Sequence, residues 1–336
     1  IFESSCVLCD ANSTSQGVQR LAKENISYSH LKIKNKFDIN AIFFLIKEIR
    51  SGAYDVVTVF TARALSTVIF ASYFLKRKPI ITAYRGTAGN ISKWDPLSRI
   101  TYLHSRVTKI HCVSKGVTDA LINNGVKKEK VITIHKGHNP DWYKDLKTNY
   151  EFDFKLTEST VVFSCVANAR PSKGIDILLQ SFSKVLIEFP DSQLLLIGRM
   201  DKNSYTKYLQ NGLESHIHFL GFRSDSVPIV AKTDVHISPS KYKEGLSKST
   251  IESMLVGTAV IATDVSGTRE LIDDEKSGLV VQPNNVDALA SAMIQLAKQS
   301  AFREKLAQNA REKITNQFHI DQTINKMEQM YRQLVH

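Results

Sequence analysis

The chain has 336 residues, of which 43% are hydrophobic and 23% charged, and its 44 Lys+Arg exceed its 33 Asp+Glu to give a net charge of +11. That length is enough for two domains with full cores, and the composition is ordinary for a soluble protein. The longest apolar run, Ala64 to Leu75, is too short to span a bilayer and ends in Lys76-Arg77-Lys78.

No signal peptide and no initiator Met is present, so Ile1 reads as the start of a trimmed or incomplete chain. Cys6–Asp10 reads as a short strand and Gln16–Asn25 as a helix. Phe37–Arg50 is amphipathic, with Ile39, Ile42, Phe43, Ile46 and Ile49 at helical spacing. Asp55–Phe60 is a short apolar strand of the kind a parallel sheet buries. Arg63–Lys76 reads as a helix and Pro79–Ala83 as a strand. Lys109–Val113 is another strand, with Ser114 behind it as a helix cap, and Val131–His135 closes the set. Strands alternating with helices imply a doubly wound α/β domain over residues 1–150.

From Asp145 to Ser159 the pattern lapses into polar residues, and we place the linker there. A second alternating series follows over residues 151–317. Its strands are Val161–Val166, Gln193–Ile197, Ile217–Leu220, Asp234–Ser238 and Ala259–Thr263. Its helices include Gly174–Phe189, Val286–Gln299 and Ala301–Gln317, with Ile320–Leu334 as the last helix of the chain.

The charge is unevenly spread. Residues 1–150 hold 23 Lys+Arg against 11 Asp+Glu, leaving 21 against 22 in the remainder. All the excess positive charge therefore sits in the first half, which points to an anionic partner there: nucleic acid, acidic lipid or a phosphorylated glycan. A basic face that serves only solubility is the alternative. Cys6 and Cys9 form a C-x-x-C without a second pair or a His cluster. Together with Cys112 and Cys165 they read as buried free thiols in a reducing compartment, with no metal site.

The stretch from Lys241 to Val281 carries the chemistry. Glu244 and Glu252 are separated by seven residues. Glu244 stands just before Gly245-Leu246-Ser247, and Glu252 lies on an apolar-periodic run with Ile251, Met254 and Leu255 on its buried side. Ser247, Ser249 and Thr250 supply helix-cap chemistry, so one carboxylate precedes a helix and the other lies within it. Free amides at a helix start, together with the helix dipole, make an anion pocket, and a glycine lets a ligand approach the backbone closely. Each carboxylate can accept hydrogen bonds from a diol. A ligand with a pyrophosphate in the middle and hydroxyls at both ends fits, and a nucleotide sugar is such a ligand.

The E-x7-E element, followed by GTAVIATDVSGTRELI and SGLVV, resembles the donor site of the family 4 glycosyltransferases, retaining enzymes of the GT-B fold. The resemblance implies two Rossmann-like domains facing across a cleft, with residues 318–336 forming a helix that crosses back to the first domain. It begins one βα unit late: CDANSTSQGVQRLAKENI matches the family's second strand and helix, so the first βα unit and its glycine-rich loop are expected to be missing. By the same resemblance Glu244 touches the sugar hydroxyls and Glu252 the ribose diol. The amides of Gly245, Leu246 and Ser247 face the sugar and phosphates. No enzyme nucleophile, metal or cofactor is implied, because the acceptor attacks on the face the diphosphate leaves and the leaving phosphate takes the proton.

Lys173 and Arg170 lie in the loop after the first strand of the second domain, at the sheet edge where ligands bind, and cations there stabilise a departing diphosphate. Asn168 stands where the family has an Arg. Arg85 stands where many relatives have a His close to the transferred sugar, and it could hold a phosphate or carboxylate or else pair with a core carboxylate. Gly198 and Gly221-Phe222-Arg223 lie where relatives hold the base, which makes Arg223 a donor-side candidate. His135 and His138 have no zinc spacing.

The reading is a retaining, metal-independent hexosyltransferase using a nucleoside-diphosphate sugar, UDP before GDP, with a glycan or lipid-linked glycan acceptor. Its expected setting is cell-surface polysaccharide or lipopolysaccharide synthesis in the cytoplasm. The basic first domain suggests peripheral attachment to an anionic inner membrane face, and no nucleic-acid motif appears. A nucleotide-sugar epimerase of the same fold and a non-catalytic polyanion binder are the alternatives.

Overall fold

The computed structural model describes residues 6–9, 18, 21, 23–26, 28–89, 91–209, 212–242 and 244–335. Most of the helix expected over Gln16–Asn25 lies outside these, although Val18, Leu21 and Lys23 are helical. β1 (Cys6–Cys9) pairs with β2 (Tyr28–Leu31). β3 (Val56–Val59), β4 (Ile80–Arg85), β5 (Val107–Cys112) and β6 (Val131–Thr133) then form a parallel sheet in chain order. α1 (Ile39–Gly52) and α2 (Ala62–Ser72) pack against each other beside it.

Two details of this half differ from the sequence expectation. On α1 the buried stripe is Ala41, Leu45 and Ile49, while Ile39 and Phe43 are each 66% exposed. The helix has more apolar residues than one face can bury, and the spacing of Ile39, Phe43 and Lys47 defines a second, outward stripe. Helix α2 stops at Ser72 rather than Lys76. Its last amides tighten to i−3 carbonyls, from Tyr73 to Phe70 and from Phe74 to Ala71, and the Ser72 hydroxyl donates to the Ile69 carbonyl. Leu75 then turns inward and leaves Tyr73 and Phe74 exposed.

The second half is built on β7 (Val162–Val166), β8 (Gln193–Ile197), β9 (Ile217–Gly221), β10 (Val235–Ser238), β11 (Ala259–Thr263) and β12 (Leu279–Val281). All pair parallel, in the order β12-β11-β10-β7-β8-β9. β8 and β11 are buried along their whole length because helices cover both faces. On one face Phe163 and Phe182 meet edge to face at 6.0 Å, with α5 (Ile175–Glu188) and α9 (Val286–Lys298) closing that core. On the other, Ile251 and Met254 pack with Val260 and Ile314, the last on α10 (Ser300–Gln317). The strand order reverses between β7 and β10, and in such sheets that switch point opens a crevice at the carboxyl edge.

Residues 145–159 contain no helix or strand but do not hang free. Tyr150, Phe152 and Phe154 pack on Val162, Leu195, Ile229 and Val230, and Thr148 donates to Asp225. At the other end, α11 (Ile320–Val335) reaches the first sheet. The Tyr331 hydroxyl lies 2.8 Å from Thr58 Oγ1, which is itself 2.8 Å from Thr82 Oγ1.

Candidate active site

The crevice is framed by the loops leaving β7 and β10. The first loop turns through Pro171–Lys173 and reaches α5 by Gly174, whose φ of 65° is left-handed. A Cβ at Gly174 would lie 2.0 Å from the Pro239 carbonyl oxygen, so only glycine lets the two loops close. The Lys241 amide donates to the Ser172 carbonyl at 2.7 Å, and the Lys241 ammonium meets Asp176 at 2.7 Å. Across this stitched junction Lys173 Nζ lies 2.5 Å from Glu244 Oε2, which also accepts from the Ser240 hydroxyl at 3.0 Å. Glu244 Oε1 has no partner among the described residues. Arg170, on the same loop as Lys173, is exposed and its side chain has no partner among them either.

After Glu244 the chain passes through Gly245, Leu246 and Ser247 into α7 (Lys248–Leu255). Ser247 caps α7 by accepting from the Thr250 amide. The amides of Gly245, Leu246 and Ser247 have no acceptor among the described residues. They are unsatisfied donors beside the positive end of a helix. One and a half turns on, Glu252 is only 9% exposed. Its Oε1 accepts from Lys248 Nζ at 2.7 Å and from the Tyr143 hydroxyl at 3.4 Å, and Oε2 has no partner among the described residues. Glu252 lines a recess with Val166, Ser226, Val227, Val230, Ser249 and Ser253, between β7, α6 (Ser226–Val230) and α7. A wider depression around Asp273, Lys276, Asn309 and Glu312 shares none of these residues.

The first domain closes on this loop. Gly245 packs so tightly that a Cβ would lie 2.1 Å from the Gly86 carbonyl oxygen, and Leu246 packs against the cores of both halves. Glu270, on α8 (Thr268–Leu271), crosses to cap α4 (Lys115–Asn123), accepting from the Lys115 and Gly116 amides at 2.8 and 3.0 Å and lying 2.7 Å from His135 Nε2. Burial raises the Glu270 carboxyl, but the His135 contact and the two amides outweigh it and hold its pKa below the usual value.

Arg85, next to Gly86, has no carboxylate partner among the described residues. Its guanidinium lies 4.6 Å over the Tyr102 ring, and its buried Nε makes no hydrogen bond among the described residues. A buried donor left so is costly without an acceptor from outside the chain. Arg223 differs: Nε and Nη2 bind Asp225 at 2.8 and 2.7 Å, so its fork is already occupied.

The structure thus brings Lys173, Glu244, Gly245, Leu246, Ser247 and Glu252 together, with Arg85 across the cleft beside Gly86. It leaves Arg170 exposed and Arg223 engaged. Sequence reasoning missed Ser240, Tyr143, Lys248 and the role of Glu270. Lys248 was accessible as the i−4 neighbour of Glu252; the others depend on contacts far apart in sequence. Cys112 and Cys165 are free and buried, their thiols pushed up to about 11 and about 12 by burial, and the Cys9 side chain lies outside the described residues. Among the described residues no three His, Cys, Asp or Glu side chains converge on a metal position.

The family model described as Glycosyltransferase Family 4 matches residues 7–142, and that described as Glycosyl transferases group 1 matches residues 147–313. The UDP-Gal:alpha-D-GlcNAc-diphosphoundecaprenol alpha-1,3-galactosyltransferase of Escherichia coli is 25% identical over 326 residues, covering 89% of this chain and 80% of that protein. Other curated relatives are matched over 36% to 81% of their own length. A glycosyltransferase from Rickettsia africae ESF-5 superposes with a TM-score of 0.82 at 19% identity, over 98% of both chains. Anabaena Alr3699/HepE in complex with UDP superposes at 0.81 with 17% identity, over 98% of this chain and all of that one. These likenesses show the fold, two Rossmann-like domains in the GT-B arrangement.

Proposed function

Because the chain belongs to the family 4, group 1 glycosyltransferases, we propose that it moves a hexose-type sugar from a nucleoside-diphosphate sugar to a hydroxyl of a glycan or lipid-linked glycan, with retention of anomeric configuration. One observation carries the reading. Among the described residues, Glu244 and Glu252 each have one oxygen bound and the other free, and three amides without an acceptor lie between them. The free oxygen of Glu244 would accept from a sugar hydroxyl and that of Glu252 from the ribose diol. The Gly245, Leu246 and Ser247 amides would meet the diphosphate, and Lys173 would offset the charge that grows on it as the glycosidic C–O bond breaks. The acceptor oxygen bonds to the anomeric carbon on the face the diphosphate leaves, and its proton passes to a leaving phosphate oxygen. Arg85 Nε would find its missing acceptor on the donor or acceptor.

UDP is the favoured carrier. The Anabaena neighbour was solved with UDP, and the E. coli relative is named for a UDP-galactose donor. Calorimetry with UDP, GDP, ADP and CMP tests this: UDP should bind best, and Glu252→Ala should weaken it about tenfold, the loss expected for hydrogen bonds to a charged group. Equal binding of UDP to wild type and variant would sink the ribose assignment.

The E. coli relative's name also includes a diphosphoundecaprenol acceptor, and the outward apolar side chains here suit work at an anionic membrane surface in polysaccharide or lipopolysaccharide synthesis. Phe37, Ile39, Phe43, Tyr73 and Phe74 are exposed on the α1–α2 side, with Phe37 against Phe70 at 5.4 Å. Lys34, Lys47, Arg50, Lys76 and Lys78 are exposed around them. Rings that insert and lysines that stay in the headgroups form an interfacial binding face. Vesicles of phosphatidylglycerol and phosphatidylcholine should sediment the protein at low salt. Since a buried Phe contributes about 1.5–3 kcal/mol, Phe43→Ser/Phe74→Ser should weaken this by at least about tenfold. Binding unchanged in the double variant, or absent in the wild type, would refute the surface.

A further inference from the structure

The two crossings of the chain between domains run side by side. One follows β6 through His138; the other is Phe318–Ile320. The His138 amide donates to the Phe318 carbonyl at 2.8 Å and the Ile320 amide to the His138 carbonyl at 3.1 Å, forming a parallel bridge between His138 and His319. His138 is therefore stitched into the hinge by its backbone.

Its side chain points to the donor carboxylate. The ring is 2% exposed, and Nδ1 lies 2.7 Å from the Tyr143 hydroxyl, which in turn lies 3.4 Å from Glu252 Oε1. Burial, then the charges of Lys136 and Lys248, push the His138 pKa down to about 4, so the ring is neutral at pH 7 with one N–H. Nε2 is buried without a partner among the described residues. An orphaned N–H is the rarer and costlier state, so the proton belongs on Nδ1. A phenol has one proton to donate. With its oxygen receiving Nδ1–H, Tyr143 is left to donate to Glu252. Lys248 reaches the same Oε1, so both donors hold one oxygen and turn the other outward.

We propose that Tyr143, oriented by His138, is a positioning residue for Glu252, and that this relay ties the nucleotide-binding carboxylate to the inter-domain hinge. The proposal rests on the donor reading of Glu252. Neither residue touches the reacting atoms, so their effect falls on donor affinity rather than on the chemical step. A ligand that fixes Glu252 also fixes, through Tyr143, the backbone bridge at His138.

The test is UDP binding to four proteins: wild type, Glu252→Gln, Tyr143→Phe and the double variant. Tyr143→Phe should weaken UDP by about five- to tenfold in the wild-type background, as for a hydrogen bond to a charged group. It should have less than about a twofold further effect once Glu252 is Gln, the non-additivity of residues acting as one unit. Donor KM should rise with kcat unchanged. UDP should slow hydrogen exchange of the His138 and Ile320 amides in wild type but not in Tyr143→Phe. His138→Asn, which can still present an N–H to the phenol, should keep more affinity than His138→Phe. Equal losses in both backgrounds, or no loss from Tyr143→Phe while Glu252→Gln weakens UDP, would overturn the relay. UDP bound equally by wild type and Glu252→Gln would instead overturn the donor reading beneath it.

Discussion

Lys173→Ala is expected to lower kcat by about 10²- to 10³-fold at saturating donor, the scale of losing one preorganised charge-stabilising group. Lys173 is the cation that the fold anchors at the switch point. Its loop is held by the Lys241–Ser172 bond and by the Gly174 contact with Pro239, and its ammonium lies 2.5 Å from Glu244. The charge it would offset appears only as the sugar–phosphate bond breaks, so kcat carries most of the loss and donor KM little. Without Lys173, the partner left to Glu244 Oε2 among the described residues is the Ser240 hydroxyl, and under the proposed sugar contact some loss of sugar positioning would add to the effect. Lys173→Arg should restore little, because a planar fork does not replace a point charge held at 2.5 Å. Arg170→Ala is the comparison: exposed and without a side-chain partner among the described residues, it should cost less than about threefold, as a surface charge does. If Lys173→Ala keeps kcat within about threefold of wild type, the electrostatic role assigned to it fails.

The architecture was legible because parallel sheets leave a strong trace. QLLLI and AVIAT are continuous apolar runs, and the structure buries every residue of both. The local part of the site was legible for a similar reason. A Ser cap, an apolar period and two glutamates at fixed spacing all lie within one loop and one helix. What sequence could not supply is the partner of each group. Glu270 was visible as part of a motif, but its role depends on α4, about 155 residues earlier in the chain. Tyr143 and Glu252 meet only because the hinge segment returns past α7. On α1, helical periodicity marked Ile39 and Phe43 as apolar without telling which of two apolar stripes meets the core. That is decided by the sheet beneath the helix, not by the helix itself.

Gly245→Ala is expected to cut turnover by about 10²-fold or more while leaving both domains folded, since a shift of about 1 Å in a reacting pair costs that much. The new methyl carbon would lie 2.1 Å from the Gly86 carbonyl oxygen, 2.9 Å from Val113 Cγ2 and 3.0 Å from the Gly86 carbonyl carbon. Backbone cannot rotate away as a side-chain tip can, so the two halves must separate at this point. Val113 of the first domain's core borders the contact, but Phe163, Leu178 and Ile237 of one core and Leu65, Ile81 and Ile110 of the other lie within their own sheets and helices. The melting temperature should therefore move little. UDP should still bind within about tenfold of wild type, because Glu252 keeps Lys248 on its own helix and Ser247 still caps the Thr250 amide. Gly86→Ala controls for glycine loss on the facing loop, since the nearest atoms to its methyl carbon would be those of the Tyr84 side chain, at 3.2 Å, rather than backbone. The measurements are kcat, the melting curve and small-angle scattering with UDP bound. A Gly245→Ala protein with normal turnover would show that the Gly86–Gly245 contact opens before chemistry. One that loses turnover, keeps UDP binding and scatters as a wider particle would place the catalytic arrangement in the closed contact between these two glycines.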